Sequence, residues 1–336
     1  MIFRQITLII LFTYWILAHS YLLVTPSILL GNQTLINLVK ELSQTFSTRI
    51  LLDGFSTQFF IAANQTNIQL EINQNIDLID IMVCNHVSTF DFLIAMAYLK
   101  NFNIGSYNFV LKNEITYFPG FGLIMYASPD IKLNRRWEQD KLNLGKQIDK
   151  IKTNHSDKQV ILIFPEGTRL TKEKLLEGHK FSELNNLPIF ENLLVPKTKG
   201  LWTLISHLSQ TKRLGKIWDL TLAIPKFMGK SAYLTDIIGK KMGPVYGIFR
   251  ELKNCQYQDL NEFKSWFIKN WQIKDELLSN YNKFIYNQIE FSDKSSHILL
   301  ITLTIILSTI MLTNKYSRGY LLLSFLLAYT LIIFKL

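Results

Sequence analysis

The sequence predicts an α/β domain with a central, largely buried mixed sheet flanked by helices, and with membrane helices at both ends of the chain. Three observations carry that expectation. Short β-branched runs alternate with longer helix-like stretches, uncharged apolar runs occupy both ends, and no repeat or Pro/Gly-rich linker divides the middle. The division expected is 1–32 as an N-terminal membrane anchor, 33–296 as one globular domain and 297–336 as a C-terminal membrane hairpin.

Taken in order, the first run is Ile6 to Leu30, without a charged residue and long enough to cross a bilayer core as a helix. Arg4 ahead of it also fits a signal peptide, but the run is long for that role and no small-x-small cleavage site follows. Strands are expected at Leu78–Val83, Asn108–Leu111, Ile131–Leu133, Val160–Phe164, Leu193–Pro196, Asp219–Ile224 and Val245–Phe249. Helices are expected near 89–101, 136–152, 170–184, 200–210 and 258–286. Two further apolar runs, Ile298 to Thr313 and Gly319 to Phe334, flank a turn holding Lys315 and Arg318. Each is somewhat short of a ~30 Å hydrocarbon core, which suits a tight hairpin or partial embedding, and the basic turn favours the cytosolic side.

The chain has 336 residues and a net charge of +10, with Lys and Arg spread along it. A basic surface suits anionic lipid headgroups or nucleotide phosphates. Nucleic acid is not an expected partner: no zinc-ligand set, basic heptad helix or aromatic RNA-binding motif is present. Cys84 and Cys255 are the only cysteines, so no disulfide framework is expected and the core faces a reducing compartment. Sequons stand at Asn32, Asn64 and Asn154, and at least the last two are expected to be unused.

Two motifs carry chemistry. In Asn85-His86-Val87-Ser88-Thr89-Phe90-Asp91, the imidazole and carboxylate are five residues apart. On one regular helix they would not meet; with His86 in the loop after a strand and Asp91 in the first helical turn, they converge. Asp91 would then fix the tautomer of His86, whose other nitrogen would take a proton from a hydroxyl. The competing reading is structural, with Ser88 and Asp91 as a capping box. In Phe164-Pro165-Glu166-Gly167-Thr168-Arg169, the glycine turns backbone amides inward and Arg169 can grip a phosphate. Glu166 would orient Arg169 or bind an acceptor hydroxyl, and a solvated surface turn is the plain alternative. Arg135 and Pro196, each at a strand end, are further candidates for a phosphate ligand and a pocket wall. Cys84 shares a strand face with His86, so a Cys–His nucleophile forming an acyl-enzyme is also conceivable.

The order NHxxxxD, a Gly- and Arg-containing block, FPEGTR, then a Val-Pro block resembles the glycerolipid acyltransferase family. The resemblance is strong over about residues 80 to 225. It extends loosely to Trp271–Leu278, a segment similar to the eukaryotic branch with lysocardiolipin and lysophosphatidylinositol acyltransferases. Between Lys112 and Arg135 the glycine and arginine are kept and the rest departs from the pattern. The resemblance implies a single acyltransferase domain. His86 would be its general base and Asp91 the orienting acid, with Arg135, Glu166, Gly167, Thr168 and Arg169 holding the acceptor phosphate and Pro196 shaping the pocket. It further implies acyl-CoA as co-substrate without cofactor or metal, a lysophospholipid acceptor and a phospholipid product. The expected location is the endoplasmic reticulum membrane with the catalytic domain facing the cytosol.

Overall fold

The computed structural model describes residues 24–31, 33–63, 77–104, 106–118, 121–151, 158–228, 240–255 and 258–291, with isolated positions before residue 24. Two helices come first, α1 (Thr25–Leu29) and α2 (Gln33–Arg49). Then follow β1 (Thr57–Ala62), β2 (Ile79–Cys84), α3 (Asp91–Asn101), β3 (Ser106–Lys112), α4 (Phe121–Ala127), β4 (Ile131–Leu133) and α5 (Trp137–Asp149). The remaining elements are β5 (Gln159–Ile163), α6 (Lys172–Leu184), α7 (Thr198–Gln210), β6 (Leu214–Ala223), β7 (Gly243–Glu251), α8 (Leu260–Ser279) and β8 (Tyr286–Gln288).

The strands form one eight-stranded sheet in the order β4-β3-β5-β2-β6-β7-β1-β8. Neighbours from β4 through β6 run parallel; β7 is antiparallel to β6, β1 parallel to β7, and β8 antiparallel to β1. The sheet is therefore mixed, as the sequence predicts. The parallel strands end along one edge, the place where loops of an open α/β sheet gather functional groups.

Both faces of the centre are covered, which explains why Val160–Ile163 of β5 is a continuous apolar run and β2 is interrupted only by Asp80. Along β2, Met82 and Cys84 enter one core while Ile79, Ile81 and Val83 enter the other, the two-residue alternation of a strand. The first core includes Ile36, Val39 and Leu42 of α2 with Leu93, Ile94 and Ala97 of α3. The second includes Leu144 and Ile148 of α5, Leu204 and Leu208 of α7, and Phe263, Phe267 and Trp271 of α8. Burying one such side chain contributes about 1.5–3 kcal/mol, so truncating any of them removes much of a domain's ~5–15 kcal/mol.

The structure departs from the sequence reading in three places. Leu193–Pro196 is not a strand; side chains rather than a ladder satisfy that segment's backbone. The helix expected over 258–286 stops at Ser279, where a 3₁₀ turn leads into β8. Strands β1 and β8 and helices α2 and α4 were not anticipated; β8 is three residues long with Asn287 and Gln288 exposed, too short and polar for a periodic signal. Among the described residues no helix is long and apolar enough to cross a membrane. The apolar runs beyond residue 297 and the three sequons lie outside the described residues, as does most of the first run. Of that first run, Val24 is buried in the first core and Leu30 is exposed.

Candidate active site

At the end of β2 the chain must leave the sheet without orphaning the backbone of β6. Asn85 does this with its side chain: Nδ2 donates to Leu222 O at 2.9 Å and Oδ1 accepts from Leu222 N at 2.8 Å. Its fully buried amide thus extends the ladder while the main chain turns out toward the edge. His86 is the next residue.

Asp91 is the first residue of α3 and is fully buried. Its Oδ2 lies 2.9 Å from His86 Nδ1 and accepts from Val87 N and Ser88 N, while Oδ1 accepts from Ser88 Oγ. The helix N-cap is Phe90, which makes no side-chain cap, so the capping-box pattern resolves into something else. One carboxylate ties down the loop amides and orients the imidazole together. With Asp91 accepting at Nδ1, the proton belongs on that nitrogen and Nε2 carries the lone pair of a base. The His86 side chain is 26% exposed, and its ring packs 4.9 Å from that of Phe164.

The FPEGTR turn grips the same histidine by its backbone. Glu166 Oε1 accepts from His86 N at 2.8 Å, and His86 O accepts from Leu170 N at 2.9 Å. Glu166 is only 2% exposed, and its other oxygen accepts from Leu194 N at 3.2 Å. It neither pairs with Arg169 nor opens toward solvent, as a substrate ligand would; it braces three segments from inside. Burial pushes its carboxyl up to about 8 despite the two amides and Lys274, which act in the opposite direction.

Gly167 then takes a left-handed φ of +65° and closes a turn through Gly167 N to Phe164 O. A methyl there would be strained and would lie 3.4 Å from Lys197 Nζ. Cations collect around this turn. Arg135 donates to Gly167 O at 2.5 Å, Arg169 donates to Thr89 Oγ1 at 2.6 Å, and Lys174 donates to Thr168 Oγ1. Arg135 arrives from the end of β4 with a φ of +60°, rare for a side-chain-bearing residue. That conformation follows Asn134, fixed by Asn134 N to Asp140 Oδ1 and Asn113 Nδ2 to Asn134 Oδ1.

All the candidate residues therefore meet at one sheet edge. His86, Arg135, Gly167, Thr168 and Arg169 reach the surface of that edge, with Asp91 and Pro196 buried beneath it, and Lys197 N donates to Pro165 O. Cys84 does not belong to the chemistry. It is fully buried in the first core, and burial raises its thiol to about 12, unfit for a nucleophile. Sequence reasoning missed Lys174 and Lys197 as members of the site, since isolated lysines beside a turn give no periodic signal. Asn85 was legible as part of the NHxxxxD block, yet its bond to β6 needs the topology.

A family model described as Acyltransferase matches residues 68–183, which hold the histidine and FPEGTR motifs. The chain is 28% identical over 203 residues to "Probable 1-acyl-sn-glycerol-3-phosphate acyltransferase 5" of Arabidopsis thaliana, covering 60% of this chain and 53% of that protein. It is 31% identical over 146 residues to "Lysocardiolipin acyltransferase 1" of Mus musculus, covering 43% and 39%. It is 29% identical over 205 residues to "Lysophosphatidylinositol acyltransferase 10" of Caenorhabditis elegans, covering 60% and 52%. The chain thus spans about half the length, or less, of the curated relatives it matches. A solved structure, the 1-acyl-sn-glycerophosphate acyltransferase PlsC from Thermotoga maritima, aligns with a TM-score of 0.46 at 14% identity, over 86% of this chain and 100% of that one. With the motifs assembled at one edge, residues 68–183 match the Acyltransferase family model, and the similarity to proteins named as glycerolipid acyltransferases supports that family for this stretch.

Proposed function

We propose that the protein transfers a fatty acyl group from acyl-CoA to the free hydroxyl of a lysophospholipid, with lysophosphatidic acid as the favoured acceptor and phosphatidic acid as product. The observation that carries this reading is the His86–Asp91 pair, 2.9 Å apart with one face of the imidazole open, beside a turn ringed by Arg135, Arg169, Lys174 and Lys197. A base next to a cationic pocket suits an acceptor that carries both a hydroxyl and a phosphate.

In this reading, His86 Nε2 takes the hydroxyl proton as the oxygen attacks the thioester carbonyl. The tetrahedral intermediate collapses, the carbon–sulfur bond breaks, and the departing thiolate of CoA takes the proton back from the imidazolium. Asp91 stabilises that imidazolium and holds its ring. Arg135 and Arg169 grip the phosphate, with Gly167 and Thr168 supplying turn geometry and a hydroxyl, and Pro196 backs the pocket. No cofactor enters these steps. The work takes place, on this proposal, at the cytosolic face of the endoplasmic reticulum membrane; the +10 charge and the apolar terminal runs support that setting.

The test is an assay of isolated membranes with labelled oleoyl- and stearoyl-CoA against a panel of lysophospholipids, comparing wild type with His86→Ala at matched expression. Transfer to lysophosphatidic acid should fall by roughly 10²–10⁴-fold in the variant. Preference for lysophosphatidylinositol would make this a remodelling enzyme, a reading supported by the name of the Caenorhabditis elegans relative. Transfer without acyl-CoA would point to a transacylase, and no His86-dependent transfer would leave a catalytically silent scaffold.

A further inference from the structure

Helix α8 lies behind the sheet from the opening, yet three of its side chains reach the parts that hold His86. The helix is capped by Asp259, whose carboxylate accepts from Asn261 N and Glu262 N, and it buries Phe263, Phe267, Trp271 and Leu278 in the second core. Lys274 falls on that same buried face, with no exposed surface at all. Its ammonium donates to Asp219 Oδ1 at 2.5 Å, Leu220 O at 2.8 Å and Val83 O at 3.3 Å, and lies 5.1 Å from the Trp271 ring centroid. Val83 is the penultimate residue of β2, two positions before Asn85 and three before His86. Asp219 is paired on its other oxygen with Arg250.

The neighbouring residues reach a second part of the site. Asp275 accepts from Glu191 N at 2.9 Å and Asn192 N at 2.8 Å, and Trp271 Nε1 donates to Leu194 O at 3.0 Å. Leu194 N in turn donates to Glu166, whose other oxygen accepts from His86 N. A continuous path of hydrogen bonds therefore runs from α8 through the 191–194 segment and Glu166 to the backbone of the base. Stability alone is a weak reason for such a cluster. A buried ion pair generally adds little over well-packed apolar residues of equal volume, whereas it does specify one geometry.

We infer that Trp271, Lys274 and Asp275 are positioning residues for His86, acting through Glu166, the 191–194 segment and the carbonyl end of β2. The inference rests on the acyl-transfer reading for its kinetic readout and on geometry for its structural one. These side chains do not touch substrate; they set where the imidazole stands when the hydroxyl arrives. A displacement of about 1 Å at a reacting group can cost ~10²-fold in rate, so modest loosening here is measurable.

The experiment compares Trp271→Phe, Asp275→Asn and Lys274→Met, each alone and combined with Glu166→Gln, in the full chain in membranes. Phe263→Leu serves as a control that loosens α8 without touching the path. Each path variant should lower kcat by roughly tenfold with acceptor KM changed less than about twofold. Trp271→Phe and Asp275→Asn should add little once Glu166→Gln is present, because all three act on one contact. Melting temperatures identify any variant that fails to fold, and the remaining ones decide the matter. Unchanged kcat in folded Trp271→Phe and Asp275→Asn, or losses that multiply with Glu166→Gln, would overturn the proposal. Hydrogen exchange supplies an arm independent of activity: the peptide containing the His86 amide should exchange faster in Trp271→Phe and Glu166→Gln than in wild type or Phe263→Leu. If wild type shows no transfer, the acyl-transfer reading falls while the exchange arm still decides this one, equal exchange in all proteins refuting it.

Discussion

Two buried ionic clusters sit at opposite ends of the same central strands. Near the start of β2, Asp80 pairs with Lys158 at 2.9 Å and accepts from Trp218 Nε1 and Lys216 N. Near its end, Lys274 and Arg250 share Asp219, one step from the segment that carries His86. The chemistry of the two is alike, a carboxylate enclosed by a lysine and backbone groups. Their settings differ. The first joins β2, β6 and the entry to β5 where no candidate site residue lies, and so closes the sheet. The second is wired to loops that leave the sheet, where position matters more than cohesion. A buried ion pair thus has no fixed meaning; what its partners do next decides whether it serves folding or chemistry.

Breaking the first cluster should give the largest thermodynamic effect and no catalytic one. Asp80→Ala removes the carboxylate 2.9 Å from the ammonium of Lys158, itself only 5% exposed, and the acceptor of Trp218 Nε1 and Lys216 N. Unfolding free energy should drop by about 3–5 kcal/mol, read by urea titration, with kcat per folded molecule unchanged. A fall in kcat at full folding would erase the contrast between the two ends. Arg135→Ala probes the other side of it. Arg135 is exposed and holds no core together, so stability should stay within about 0.5 kcal/mol. Acceptor KM should rise roughly tenfold or more, and much less for an acceptor without phosphate, because a charge-assisted contact is lost. Equal losses for both acceptors would remove Arg135 from the phosphate pocket.

The same contrast sets how much the sequence could reveal. Strands β2 and β5 were legible because burial on both faces makes a short, mostly apolar run rich in Ile and Val. So were His86, Asp91, Arg135 and the turn at Gly167, since their chemistry is written in residue type and short spacing. Leu193–Pro196 failed for a physical reason: it has the composition of a strand, but Glu166 and Trp271 take the amide and carbonyl of Leu194 in place of a ladder, while Asp275 holds the Glu191 and Asn192 amides just before it. Glu166 failed in the same way. An acid in an anion-binding turn reads as a ligand until the fold shows its two oxygens taken by amides from 80 and 28 residues away. Lys274, a charged residue on a core face, makes sense only once Asp219 and Val83 are seen beside it. Local chemistry was readable; long-range satisfaction of buried polar groups was not.

The last comparison concerns the charge on Glu166, and it tests which kind of buried acid this is. The unfolded chain carries it near the ordinary value of 4.5, while in the fold burial raises it to about 8. Below about 4.5 both states hold the proton. Between about 4.5 and about 8 only the unfolded chain releases it, so the folded state loses relative stability as pH rises, and the loss levels off above about 8. Glu166→Gln has no such proton. Urea unfolding of both proteins from about pH 5 to about pH 9 should therefore show the wild type's stability, relative to the variant, declining across that window and then flattening. Other titrating groups are common to both and cancel. A difference that stays flat throughout would mean that the His86 and Leu194 amides, with Lys274 behind them, keep the carboxylate ionised in the fold. Glu166 would then be a fixed anion anchored by donors, and its hold on the His86 amide would not weaken as the pH falls toward neutrality.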